Sequence, residues 1–236
     1  MNNEQRIEEK VTEKKSFWLV VKEKLGYFYS EFIKFPAYIL AHPLKGFYQF
    51  KVEKRAKLSV AITFMIVLVF FNILSFQYAG FEVNFNELRD LNSLAEISYI
   101  VAPILLFTVA NWSITTLFDG KGKMKEIFLM ICYSLYPMIW ASAIGLVLSN
   151  VLTGEEITFY GVTYGIGAFL LFYMIFFGMI SIHEYGLGKN IVTLLFTIIA
   201  AGVIVFVLIL GYDLFQKMYG FLYTLYEEIT LRDLLG

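Results

Sequence analysis

The stretch "LSVAITFMIVLVFFNILSFQYA", Leu58–Ala79, contains no Asp, Glu, Lys, Arg or His. A bilayer core about 30 Å thick takes about 20 apolar residues in a helix, and this stretch is long enough to cross it. Nothing punctuates it: no Gly or Pro interrupts the run from Leu58 to Gln77. Its reading decides the fold, because four further windows of the same kind follow. They are Ile97–Phe118, Ile127–Asn150, Gly161–Ile182 and Ile191–Tyr212, and they too lack ionisable side chains.

Composition agrees. The chain has 236 residues, 58% hydrophobic and 17% charged, with a mean hydropathy of +0.67. A soluble domain carries about 25% charged residues. The expected fold is therefore all-α, a polytopic membrane bundle of five transmembrane helices. Pro103 and Pro137 are expected to kink the second and third spans.

Charge placement sets the expected orientation. Lys45, Lys51, Lys54, Arg55 and Lys57 precede the first span, Lys121, Lys123 and Lys125 separate the second from the third, and Lys189 separates the fourth from the fifth. The alternate connections are acidic, with Glu82, Glu87, Asp90, Glu96, Glu155 and Glu156. Lysine and arginine favour the cytoplasmic side, so the N-terminus is expected in the cytoplasm, the C-terminus outside, and the chain in the cell membrane as a multi-pass protein.

Three parts follow: a cytosolic segment 1–57, a membrane domain 58–212 and an extracytoplasmic segment 213–236. The first carries 12 basic and 7 acidic side chains, the remainder 7 and 13. Phe17, Val20, Val21, Leu25, Phe28, Phe32 and Phe35 recur at helical spacing beside Lys22, Lys24 and Lys34. They predict an amphipathic helix, either lying in the interface among anionic headgroups or packed on the protein's own cytosolic face. Pro36 is expected to end or kink it, Pro43 to hold His42 extended, and Gly46 to permit a turn. Leu214, Phe215, Met218, Leu222, Leu225, Tyr226 and Ile229 predict a second amphipathic helix, interfacial or capping the outer end. The N-terminal "MNNEQRIEEKVTEKK" does not read as a signal peptide, since the apolar stretch after it is short and followed by Lys22, Glu23 and Lys24.

The search for chemistry mostly excludes. Cys132 is the single cysteine and sits in an apolar run, so neither a disulfide framework nor a thiolate metal site fits within one chain. "GEEITFY" begins like the Glu-Glu motif of intramembrane proteases but places Phe159 where an Arg belongs. No HExxH or G-x-S-x-G occurs. Windows free of ionisable residues argue against ion-coupled transport, which places such groups at membrane depth. "LFDGKGKMKEI", Leu117–Ile127, is not a Walker loop: Gly120 and Gly122 are too close, and Met124 stands in place of Ser or Thr. It reads as a helical-hairpin turn with Asp119-Gly120 as its signal. Gly161, Gly165 and Gly167, and Ala141 with Gly145, read as close-packing positions between helices.

Three stretches carry a resemblance: "AHPLKGFYQFKVEKRAK", "NWSITTLFDGKGKMKEIFLMICYSLYPMI" and "HEYGLGKNI". His42, Pro43, Gly46 and Phe47 resemble the His-Pro-x-x-Gly-Phe motif of bacterial members of the Yip1 family. Asp119-Gly120 with Tyr133-Ser134-Leu135 and Pro137 resembles that family's Asp-Gly turn and Tyr-Ser-x-x-Pro signature. The resemblance covers Tyr38 to Tyr212 and implies a five-span membrane protein. Eukaryotic members engage Rab GTPases, but their Asp-Leu-Tyr-Gly-Pro motif is absent here. Some bacterial members are associated with sugar-importing ABC systems by gene neighbourhood.

The function expected is a non-enzymatic membrane adaptor or scaffold that binds a membrane-protein partner or organises lipid. The alternatives are an accessory subunit of a transport system such as an ABC importer, a small channel, or a lipid-binding protein. No cofactor, metal or nucleic acid is expected. The expected partner or lipid contacts are Trp18, Phe28, Phe32, His42, Pro43, Gly46, Phe47, Asp119, Gly120, Lys121, Lys123, Tyr133, Pro137, His183 and Glu184.

Overall fold

The computed structural model describes residues 20–235, and for Leu88 and residues 231–235 the backbone alone. Trp18 and Phe17 lie outside the described residues. The described elements are helical, with no strand among them. In chain order they are α1 (20–28), a π-helical turn Tyr29–Lys34, α2 (Phe35–Ala41), α3 (Pro43–Val52), α4 (Leu58–Tyr78), α5 (Ser93–Leu117), α6 (Met124–Ser134), α7 (Tyr136–Ser149), α8 (Thr158–His183) and α9 (Leu187–Leu235).

Five segments are long and apolar enough to cross a membrane, and they match the five windows: Leu58–Tyr78, Ser93–Leu117, Met124–Ser149, Gly154–His183 and Leu187–Thr230. The third is central. Its window is 67% buried, against 22% for the first and 11% for the last. Pro137 explains why this span is two helices. Proline has no N–H and clashes with the carbonyl four residues back, so α6 ends at Ser134 and α7 starts at Tyr136. Pro103 behaves otherwise and sits within an unbroken α5.

Glu96 and His183, which fall just outside the apolar windows, lie within the helices that carry those windows. Asn92 caps α5, its side chain accepting from the N–H groups of Leu94 and Ala95. The helix therefore starts before Ile97 and includes Glu96, which is buried and accepts a 2.5 Å hydrogen bond from Asn72. At the other limit α8 runs one residue past its window, to His183.

Small residues set the helix spacing only in part. A Cβ on Gly167 would meet that of Ala141 at 2.5 Å, and one on Gly145 the Tyr164 ring at 2.5 Å. Gly161 and Gly165 face open space instead. At the acidic end, Gly80 donates its N–H to Ser149 Oγ (3.2 Å) and Asn150 donates to the Tyr78 carbonyl (2.9 Å), tying α4 to α7.

The terminal segments depart most from expectation. Pro36 does not end the N-terminal helix, which runs on to Ala41. The π-helical turn just before it sends the Phe35 N–H to Ser30 O, five residues back, and this wider register relieves the clash with the carbonyl of Phe32. The break falls at His42, whose φ of −134° and ψ of 67° leave the helix. Gly46 lies inside α3, where a Cβ would come within 2.7 Å of the Ile39 Cα. It permits close approach of α2 and α3 rather than a turn. Phe35 and Ile39 are buried in the bundle, while Val20, Leu25 and Phe28 are exposed. Residues 31–41 thus pack on the protein and α1 leaves its apolar side free.

Residues after 212 do not form a separate helix. α9 is continuous from Leu187 to Leu235, about 74 Å long at 1.5 Å per residue. Every side chain from Gly211 to Thr230 is exposed, so this segment does not cap the bundle.

Candidate partner-binding site at the basic end

Four segments that are distant in sequence meet at the basic end: α3, the turn after α5, the start of α6 and the turn after α8. The turn after α5 closes on Asp119, which adopts φ 53°. The Gly120 N–H then donates to Thr115 O at 2.7 Å, a left-handed helix stop. Neither glycine of this turn has positive φ. They are small because His183 and Tyr185 lie against them: a Cβ on Gly120 would sit 2.6 Å from Tyr185 Oη, and one on Gly122 2.6 Å from His183 Cε1.

His183 is the hub. Its Nδ1 accepts the Gly122 N–H at 3.3 Å. An accepting Nδ1 puts the proton of the neutral ring on Nε2, which then donates to Asn111 Oδ1 at 3.2 Å. Asn111 donates to Thr197 Oγ1 (3.0 Å) and Thr197 to the Thr193 carbonyl (2.8 Å). His183, Asn111, Thr193 and Thr197 are all buried. A polar chain therefore runs from the turn through α8 and α5 into α9, with each buried group paired. Tyr185 stacks on His183 with ring centroids 5.3 Å apart and donates to the Phe118 carbonyl at 3.1 Å. Burial pushes the Tyr185 hydroxyl pKa up, with Asp119 adding to the rise.

Glu184 follows in the left-handed conformation (φ 57°) and gathers two cations. Lys121 reaches it at 2.5 Å and Lys51 at 3.0 Å. Lys51 also donates to the Ile182 carbonyl at 2.7 Å. The hydrogen bond from Lys121, then that from Lys51, hold the Glu184 carboxyl below the usual range.

Beside this lies an aromatic cluster around Tyr133, buried on α6. Phe50, Phe64 and Phe35 meet its ring edge-on, with centroids 5.2, 5.6 and 6.1 Å away. Its hydroxyl accepts the Lys57 N–H at 3.1 Å. Lys57 in turn pairs with Glu31 (3.2 Å) and lies over the Tyr27 ring. Its pKa is raised, first by the Tyr27 hydrogen bond and then by Glu31 against some desolvation.

The arrangement thus unites most of the residues singled out by sequence. Chain residues 37–209 match the family model described as the Yip1 domain. The chain belongs to the Yip1 family. No curated protein and no solved structure matches it. Within this Yip1 domain, Asp119, Gly120, Lys121, His183 and Glu184 form one joint, Pro43, Gly46 and Phe47 lie on the helix that Lys51 ties to it, and Tyr133 packs on Phe50 of that helix. Pro43, Gly46, Phe47, Tyr133, Pro137 and His183 are buried. They reach a partner only through the residues they hold in place. Phe28 is exposed and stacks on Phe32 (4.6 Å), while His42 is exposed beside Tyr38. Lys123 does not pair with Glu184 but lines, with Lys51, Lys54 and Lys125, a concavity that borders the Glu184 joint through Lys51.

The sequence does not single out Lys51, Tyr185 or the outward side of α3, whereas Asn111, a polar residue within an apolar window, is expected to hydrogen-bond between helices and does so. Lys51 was read only as a topology charge. The signal for the helix side was present: Leu44, Tyr48 and Val52 recur at helical spacing, and all three are exposed while Pro43, Gly46, Phe47 and Phe50 face inward.

Proposed function

We propose that this Yip1-family protein is a non-enzymatic adaptor of the cell membrane that binds a membrane-protein partner at its basic end, with that end in the cytoplasm and the C-terminus outside. The observation that carries this reading is the placement of α3. Phe47 packs beside Gly178 and Lys51 binds Glu184, so α3 is fixed on α8. Leu44, Tyr48 and Val52 then face outward beside Lys45. Exposed aromatic and aliphatic side chains on a held helix suit a protein contact.

Two further features support it. His183 has both ring nitrogens engaged inside the bundle, so it is built as a structural joint rather than a proton carrier. An apolar lateral groove lined by Pro137, Trp140, Ala141, Ile144 and Gly167, about 420 Å³ in volume, offers a seat for an apolar helix within the membrane. A subunit of an importer is one partner such surfaces suit. The channel reading gains nothing here, because Met130, Tyr133, Met174 and Met179 fill the centre with no exposed area.

Affinity capture from gently solubilised membranes tests the proposal, comparing the natural chain with Tyr48→Glu. A defined membrane protein recovered with the first and lost with the second is the expected result. A chain that is solitary in both preparations overturns it.

A further inference from the structure

A concavity of about 270 Å³ lies between the α3–α4 connection and the start of α6. Lys51 and Lys54 line it from the first segment and Lys123 and Lys125 from the second, together with Phe50 and Leu129. Lys51 is paired with Glu184. Lys54, Lys123 and Lys125 have no ion-pair partner among the described residues. Glu126 also lines the concavity, but its carboxylate is committed to the Lys123 N–H at 2.9 Å. The cavity thus keeps an excess of positive charge from two segments that the fold brings together. Lys54 contributes at a backbone cost, since it holds φ 51°, a conformation that non-glycine residues seldom adopt.

We propose that this concavity binds the phosphate of an anionic phospholipid headgroup. Phosphate chemistry fits because four lysines line one space, and an ammonium is a compact donor of charge-assisted hydrogen bonds. A lipid source fits because of position. α4 begins at Leu58 and α6 at Met124, so the concavity lies where two spans start, at the level of headgroups. Phe50 and Leu129 give the glycerol backbone an apolar surface that a free phosphate does not need. The site does not depend on a protein partner, so it stands or falls separately from the adaptor reading.

The test uses the full chain in mild detergent, titrated with short-chain phosphatidylglycerol, phosphatidylcholine of equal chain length, and inorganic phosphate. Bound lipid is counted by native mass spectrometry. The variants are Lys54→Gln/Lys123→Gln/Lys125→Gln, the single reversal Lys125→Glu, and a control with equal charge loss, Lys34→Gln/Lys45→Gln/Lys189→Gln. Melting temperature is followed throughout, and the single reversal carries the test if the triple variant unfolds. Phosphatidylglycerol is expected to bind at least about tenfold more tightly than phosphatidylcholine. Its affinity should fall at least about tenfold in the triple variant and less than about twofold in the control. Equal losses in site and control variants would mean diffuse charge and overturn the proposal. So would inorganic phosphate competing at the lipid's own affinity, which indicates a free-anion site. Absence of phosphatidylglycerol binding, with the lysines serving an acidic protein instead, overturns it as well.

Discussion

Lys51 and Glu184 are separated by 133 positions in sequence and by 3.0 Å in space. The pair joins α3 to the turn after α8, and Lys121 adds the turn after α5 to the same carboxylate. The pH dependence follows from the depressed carboxyl. A group whose folded pKa lies below its unfolded value stabilises the fold above the unfolded value, and that contribution is lost as pH falls through the folded one. The tie is therefore complete at neutral pH, begins to weaken below the ordinary carboxyl value of 4.5 and is lost as pH falls through the lower folded value. Spin labels at Lys45→Cys and Leu187→Cys should give a narrow distance distribution at pH 7 that broadens below about pH 4.5. In Glu184→Gln the distribution should be broad at both pH values. A natural chain whose distribution is as broad at pH 7 as that of Glu184→Gln contradicts this account.

Gly46 should tolerate almost nothing larger. A Cβ there meets the Ile39 backbone at 2.7 Å, and backbone cannot swing aside as a flexible side chain can. Gly46→Ala is expected to cost about 1–3 kcal/mol, read as a lowered melting temperature in detergent. Gly165→Ala is the contrast. It faces open space within α8, so the entropic gain of about 0.5–1 kcal/mol for alanine in a helix should show unopposed. Equal melting temperatures for the two variants would refute the close-approach argument.

That contrast also explains what the sequence does and does not disclose. Periodicity and span length are local properties, and Leu58–Tyr78 was legible because a bilayer imposes its own length. The Asp119-Gly120 turn was legible for a similar reason, since a short polar break between two apolar runs leaves only a hairpin. Gly165 and Gly167 look alike in sequence, yet only Gly167 meets a neighbour, because helix rotation is decided by packing. Glu96 reads as a connection residue because an apolar window stops at the first carboxylate, whereas the helix starts at its cap on Asn92 and includes it. At the basic end, the motif residues His183 and Tyr133 were found but assigned to contact. Their burial depends on partners such as Asn111 and Phe50, which lie in other quoted stretches and are brought to them only by the fold.

Asn111 should behave as the middle of a chain rather than as an isolated amide. Its Oδ1 meets His183 and its Nδ2 donates to Thr197, all within the bundle. Asn111→Ala leaves the buried His183 Nε2–H without a partner and strips Thr197 Oγ1 of its donor, at an expected cost of about 1–3 kcal/mol. His183→Ala should cost a similar amount. The double variant should be less destabilised than the sum, with a coupling of about 0.5–3 kcal/mol for residues in one network. Strict additivity in a double-mutant cycle, measured by thermal unfolding, would show that the two act independently.

The orientation assigned from lysine placement makes its own prediction, and the natural cysteine makes it easy to read. Cys132 is free and fully buried in α6, so a membrane-impermeant maleimide should leave the natural chain unlabelled in intact cells. Lys45→Cys introduces an exposed thiol at the basic end, and Glu155→Cys one at the acidic end. With basic connections on the cytoplasmic side, Glu155→Cys should label in intact cells, and Lys45→Cys only after the membrane is permeabilised. The reverse pattern inverts the topology and moves the outward side of α3 away from any cytoplasmic partner. Labelling of both positions in intact cells would mean that the segments on either side of the bundle do not face opposite compartments, and the five-span crossing itself would fail.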